Sequence, residues 1–187
     1  MKKIILIILF MLNISIFSND FGLSLKGGMN LSGFNYDSDQ KYDLIEHDNS
    51  YIFNPFIIAS LALDYRIFNN LSIGIELVSN NISLGNVILA QIEIPIYFLY
   101  KYKMFNFYLG GFYSHVHTSN APVQYYNNCK EDYGFVLGVQ FERNNLLVDL
   151  RYEQGFNIVY DHRRGDEQYD YYYNISQFSI MIGYRFF

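Results

Sequence analysis

From Phe21 to the C-terminus, apolar side chains recur at every second residue, and this period decides what the chain can become. A β-strand points successive side chains to opposite faces, so a period of two gives each strand two unlike faces. Phe21, Leu23, Leu25, Met29 and Leu31 alternate with Gly22, Ser24, Lys26, Gly28 and Asn30. Ile57 to Tyr65 alternate with Ser60, Ala62, Asp64 and Arg66, and Leu71 to Leu77 with Ser72, Gly74 and Glu76. The pattern returns over Gln91–Tyr100, Phe105–Gly110, Asp132–Glu142, Leu146–Glu153 and Phe178–Phe186. These eight strands, of roughly 9 to 16 residues, reach the ~9–11 that a tilted strand needs to cross a bilayer.

The connections alternate in length. Short links stand at Asn69-Asn70, Lys101 to Met104 and Arg143 to Asn145; long polar ones are expected at about 35–50, 79–86, 115–131 and 157–169. Short turns on one side and long loops on the other predict an all-β fold, an eight-stranded antiparallel up-and-down transmembrane β-barrel with four long extracellular loops. A soluble eight-stranded barrel would alternate too, with its apolar face inward. Two features favour the membrane form. The polar face is crowded with Gly and Ser beside single charges, where a soluble exterior would be rich in Lys and Glu. The apolar face carries Tyr65, Tyr100, Phe105, Phe141, Tyr152, Tyr184 and Phe186 toward strand ends, where interfacial girdles belong. Composition agrees. The chain is 51% apolar and 19% aromatic but only 17% charged, which excludes disorder.

Residues 1–18 read as an export signal: Lys2 and Lys3, an apolar stretch from Ile4 to Leu12, then small or polar residues, with cleavage expected after Ser18. The barrel domain is then 19–187, placed in a bacterial outer membrane with its loops at the cell surface. The mature part carries 11 basic and 18 acidic residues, a net charge of −7, which argues against nucleic acid as a partner. The lone Cys129 rules out an intramolecular disulfide.

Several stretches are familiar in their order. QIEIPIYFLYKY, FYLGGFY with DYGFVLGVQFE, VDLRYEQGF and the ending IGYRFF together resemble the small outer-membrane barrels of the opacity and attachment-invasion (OmpX-like) type. The resemblance implies an adhesive or immune-evasive surface protein. It also implies that Tyr184, Phe186 and Phe187 form the C-terminal aromatic signal read by barrel-assembly machinery, although Phe187 is one residue beyond the family's usual end. The Asn, Ile, Lys and Tyr bias suggests an AT-rich genome, as in host-associated spirochaetes.

An eight-stranded barrel leaves an interior just wide enough for side chains. By parity ten ionisable residues point inward: Lys26, Asp64, Arg66, Glu76, Glu93, Glu142, Asp149, Arg151, Glu153 and Arg185. Buried charges need partners, so a charge network is expected to plug the lumen, centred on Asp149-Arg151-Glu153 with Arg66–Asp64 as a second pair. A narrow channel is the alternative. His117-Thr118-Ser119-Asn120-Ala121 followed by Glu131 resembles the His-x-Ser-Asn-Ala stretch of outer-membrane lipid A deacylases, which implies a serine esterase with His117 as base. The motif leaves the fifth strand for a loop instead of lying on the next-to-last strand, so non-enzymatic binding is the main reading. No cofactor or metal is expected: His47, His115 and His162 are scattered, and two same-face histidines lack a third ligand. The loops hold the binding chemistry. Tyr125, Tyr126, Arg163, Arg164, Asp166, Tyr171 and Tyr172 combine rigid amphipathic rings with hydrogen-bonding groups. Arg164-Gly165-Asp166 repeats the integrin-recognition tripeptide. Expected partners are outer-membrane lipid, the assembly machinery, and a host extracellular-matrix or serum protein.

Overall fold

A computed structural model describes residues 20–37, 56–84, 87–118, 131–156 and 172–187. They form eight strands: β1 (Phe21–Asp37), β2 (Phe56–Phe68), β3 (Leu71–Leu84), β4 (Val87–Tyr102), β5 (Phe105–Thr118), β6 (Glu131–Arg143), β7 (Leu146–Gly155) and β8 (Tyr172–Arg185). Each pairs antiparallel with the next, and β8 returns to β1 to close the barrel. Closure removes the exposed strand edges that an open sheet would leave.

The tight turns follow from local backbone chemistry. Asn144 and Asn145 have φ of 51° and 68°, the left-handed pair that a two-residue hairpin needs and that asparagine tolerates better than most residues. Lys103 adopts φ 55° in the β4–β5 turn. These turns, with Asn69-Asn70, gather at one end of the barrel, here the turn end; the longer connections leave from the other, the loop end.

Strands extend further toward the loop end than their polar sequences suggest. The connection expected over 79–86 is strand as far as Leu84, which registers on Val87. The Asn-rich sequence there read as loop, yet Asn80 is an inward residue at 2% exposure, paired in register with Gln91. Likewise β5 runs through Thr118, so His117 is a strand residue registered on Ala90. Glu131 opens β6 opposite His115, and Tyr172 opens β8 opposite Asp37 instead of standing in a loop.

The two faces then separate by burial. Leu25, Met29, Ile57, Leu77, Ile94, Phe107, Leu150 and Ile182 stand exposed on the outside, Ile57 at 78%, while Lys26, Glu76, Asp149 and Arg151 are buried inside. A soluble barrel would show the opposite polarity, so the medium around this one is lipid. Aromatic contacts mark the two rims of the belt. At the turn end Phe21 meets Tyr65 at 4.9 Å, Phe105 meets Phe141 at 5.7 Å and Tyr184 meets Phe186 at 5.4 Å between ring centroids. Toward the loop end Phe135 meets Tyr152 at 6.0 Å and Tyr133 meets Phe156 at 6.4 Å. Inside, two apolar groups also fill space: Tyr97, Leu99, Tyr108, Phe112 and Val136 on one wall, and Ile58, Val78 and Met181 on the other.

Candidate functional site

The lumen is built in three polar layers, each supplied by alternate residues of several strands. At the turn end, Arg185 Nη1 lies 2.8 Å from Asp64 Oδ1 and its Nε lies 3.1 Å from Glu142 Oε1. Lys101 Nζ reaches Asp64 at 3.6 Å, and Asn106 donates to Glu142 at 3.0 Å. Gly22 makes this pair of charges fit, because a Cβ there would strike both Arg185 and Asp64. Arg66 does not join them, which corrects the expected Arg66–Asp64 pair. The strand register shifts between Arg66 and Phe68, and Arg66 points away at the barrel's rim, where it lies 3.8 Å from Asp20 with 42% of its side chain exposed. Parity alone placed it inside, but at a strand end the wall that would bury it has run out.

The middle layer is dry. Lys26 Nζ sits 2.8 Å from Glu76 and 2.7 Å from Asp149, with all three side chains inaccessible. Arg151 pairs with Glu76, lies 3.7 Å from Asp149 and reaches Glu153 at 3.4 Å. Two tyrosines complete the layer. Tyr108 donates to Asp149 at 2.8 Å and accepts from Arg151 Nε at 3.0 Å; Tyr97 donates to Glu76 at 3.4 Å. Their ring centroids lie 5.0 Å apart, tilted by 43°, and each ring occupies the space beside a glycine of a neighbouring strand, Gly74 for Tyr97 and Gly138 for Tyr108. Removing a charge from such a site leaves its partner unpaired in a low dielectric, which makes the layer rigid.

Above it lies a layer of amides. Asn30 donates to Asn80 at 2.8 Å and to Gln177 at 2.6 Å, and Asn80 also donates to Gln177. Gln177 in turn donates to Gln91 at 2.9 Å and to Glu93 at 3.2 Å, and Gln91 donates to Ser114 at 2.9 Å. Charge counting along the sequence passed over these neutral residues and over Tyr97 and Tyr108. The signal was there, since each stands at inward parity among apolar neighbours.

The remaining candidates fall elsewhere. Tyr184, Phe186 and Phe187 are exposed at the turn end, where Phe186 N–H donates to Leu23 carbonyl at 2.8 Å and Leu23 N–H to Phe187 carbonyl at 3.0 Å. Of the three esterase candidates, His117 and Glu131 lie on the facing ends of β5 and β6. Ser119 lies outside the described residues, as do residues 1–18, His47, Cys129, His162, Tyr125, Tyr126, Arg163, Arg164, Asp166 and Tyr171. Among the described residues no three His, Cys, Asp or Glu side chains come together as a metal site.

No family model and no curated protein matches this sequence. Solved structures match by shape. Neisserial surface protein A is 11% identical, covering 88% of this chain and 96% of its own, with a TM-score of 0.51. Ail, the attachment invasion locus protein of Yersinia pestis, in complex with the heparin analogue sucrose octasulfate, is 14% identical over 89% of this chain and 99% of its own, with a TM-score of 0.53. The outer membrane protein OprG of Pseudomonas aeruginosa is 12% identical over 89% and 96%, with a TM-score of 0.51. At these identities the likeness is one of fold, and the fold is that of the small eight-stranded outer-membrane barrels.

Proposed function

We propose that this outer-membrane barrel is a surface-display protein whose extracellular connections bind macromolecules outside the cell, of a host or of the surroundings, in adhesion or immune evasion. The observation that carries the reading is the middle layer of the lumen. Lys26, Glu76, Asp149 and Arg151 occupy the barrel axis with no accessible side-chain surface. Tyr97, Tyr108 and Leu99 fill the wall beside them. A barrel so filled offers a solute no open path, which leaves the long connecting sequences as the part with chemistry to offer. Those sequences are rich in Tyr, Asn and Asp, with Arg163-Arg164 in the last, the composition of adaptable binding loops. The Yersinia barrel in complex with a heparin analogue is a precedent for a barrel of this fold binding an extracellular-type ligand.

In this reading residues 1–18 direct export and are removed, and the C-terminal Tyr184, Phe186 and Phe187 are recognised by the assembly machinery. The test is whole-cell binding to immobilised extracellular-matrix and serum proteins, with and without residues 119–130 and 157–171. Reduced binding with unchanged surface abundance supports the proposal. Unchanged binding, or discrete ion-selective openings in planar bilayers, overturns it in favour of no adhesive role or of a channel.

A further inference from the structure

Five of the seven basic residues among the described residues, Arg66, Lys101, Lys103, Arg143 and Arg185, stand at the turn end of an otherwise acidic chain. Arg185 and Lys101 are answered by Asp64 and Glu142, and Arg66 by Asp20. Lys103 and Arg143 are left over. Both are exposed, and neither has a carboxylate partner among the described residues. Glu142, next to Arg143 in sequence, is tied to Arg185 at 3.1 Å and to Asn106 at 3.0 Å. The fold brings the two spare charges together. Phe105 of β5 registers on Phe141 of β6, and Glu142 N–H donates to Met104 carbonyl at 2.8 Å. The next step of that register sets Arg143 beside Lys103, and like charges so placed repel. Lys103 carries a second cost. Its φ of 55° is a left-handed conformation that Asn or Gly adopts with less strain, and the β6–β7 turn uses Asn144-Asn145 for it. Backbone geometry therefore does not account for a lysine at this position. Aromatic rings adjoin the pair. Lys103 Nζ stands 5.5 Å from the centroid of the Tyr102 ring, and Phe105 meets Phe141 edge-on at 5.7 Å, with Tyr102 and Phe105 exposed toward lipid.

We propose that Lys103 and Arg143 form a binding site for the phosphate of an anionic phospholipid in the leaflet that the turn end meets, with Tyr102, Phe105 and Phe141 against its glycerol and upper acyl chains. The chemistry follows from the donors. A guanidinium offers a fork of N–H groups and an ammonium a compact charge, and the two together suit one phosphate. The height follows from the belt. The pair sits where the apolar outer face ends in its aromatic rim, which is the level of lipid headgroups. Charge complementarity selects the lipid. A zwitterionic headgroup carries a cation of its own beside the phosphate, which these two side chains repel, whereas an anionic headgroup brings none. Each cation near a membrane surface is worth ~5-fold in affinity for anionic lipid. The site lies at the opposite end of the barrel from the long connections and is independent of what those bind.

The experiment is native mass spectrometry of the refolded full barrel, released from detergent micelles that carry equal amounts of phosphatidylglycerol and phosphatidylcholine. The wild type is compared with Lys103→Asn, Arg143→Gln, the double variant and the rim control Arg66→Gln. The wild type is expected to retain phosphatidylglycerol in preference to phosphatidylcholine. Each single substitution at the site should lower that preference by ~5-fold, and the double variant should abolish it. Arg66→Gln should keep it, because Arg66 is already answered by Asp20. Urea unfolding in neutral detergent is the folding control, and Lys103→Asn suits it because asparagine accepts the left-handed turn. Excess inorganic phosphate should leave the preference in place, since it has no chain to lie against the rings. A wild type that holds both lipids equally, or a preference that persists in the double variant, overturns the proposal. So does loss of the preference in inorganic phosphate, which would make the site one for a free anion.

Discussion

The ring of Tyr97 on β4 packs against Gly74 of β3, its direct partner in register, and fills the volume a side chain at position 74 would take. The arrangement sets the position of the Tyr97 hydroxyl over Glu76 and of its ring against Tyr108. Gly74→Ala is therefore expected to displace the ring and lower stability by about 1–3 kcal/mol. Gly27→Ala is the control, since a Cβ there faces lipid and meets only Ile58 carbonyl at an ordinary 3.7 Å. Urea titration of the refolded barrel measures both, and equal effects would refute the ring-against-glycine account.

Lys26 neutralises Glu76 and Asp149 in a place water does not reach. Lys26→Met should cost about 3–5 kcal/mol, because it strands carboxylate in the lumen. Adding Glu76→Gln should return part of that loss, and a double-mutant cycle by urea unfolding reads the coupling. A strictly additive pair would show that the two groups do not interact.

The rim distinguishes neighbours that the sequence makes look alike. Arg66 and Arg185 both stand at inward parity, yet only Arg185 is enclosed, against Asp64 and Glu142. Arg66→Gln is expected to change stability by no more than ~0.5 kcal/mol, as an exposed ion pair does. Arg185→Gln should cost several times as much by leaving Asp64 and Glu142 under-compensated. The same unfolding assay decides, and the reverse order would mean that Arg66 is the lumen partner after all.

Protease treatment of intact cells, followed by mapping of the cut sites, tests topology. Cuts are expected within 38–55, 119–130 and 157–171. Residues 79–84 should resist, because they are paired strand. Cleavage at Asn69-Asn70 or Asn144-Asn145 would place the turn end outside the cell and invert the barrel.

The esterase alternative has its own direct check. Purified barrel incubated with lipid A is expected to release no acyl chain, and the wild type and Ser119→Ala should behave identically. Release that disappears in the variant would make Ser119 a nucleophile.

Period two is a local property of extended backbone, so the sequence alone determined the eight strands, their order, the short turns and which residues share a face. The same logic placed Lys26, Glu76, Glu93, Asp149, Arg151 and Glu153 together on one side. Alternation by itself reads the same for a soluble barrel and for one in lipid; the Gly and Ser of the polar face and the aromatic strand ends pointed that face inward, and the exposure of Ile57 and Ile182 against the burial of Arg151 bears this out. Period two could not name partners. Lys26 meets Asp149 across 123 residues of sequence, and Arg185 meets Asp64 across 121. Those distances close only when the sheet curls and staggers its strands into a barrel, because the stagger determines which layer each side chain occupies. Arg66 at the rim and Asn80 within the wall show the cost of reading residue type in place of position. Asparagine suggests a loop and arginine a partner, but closure of the sheet put one inside and left the other out.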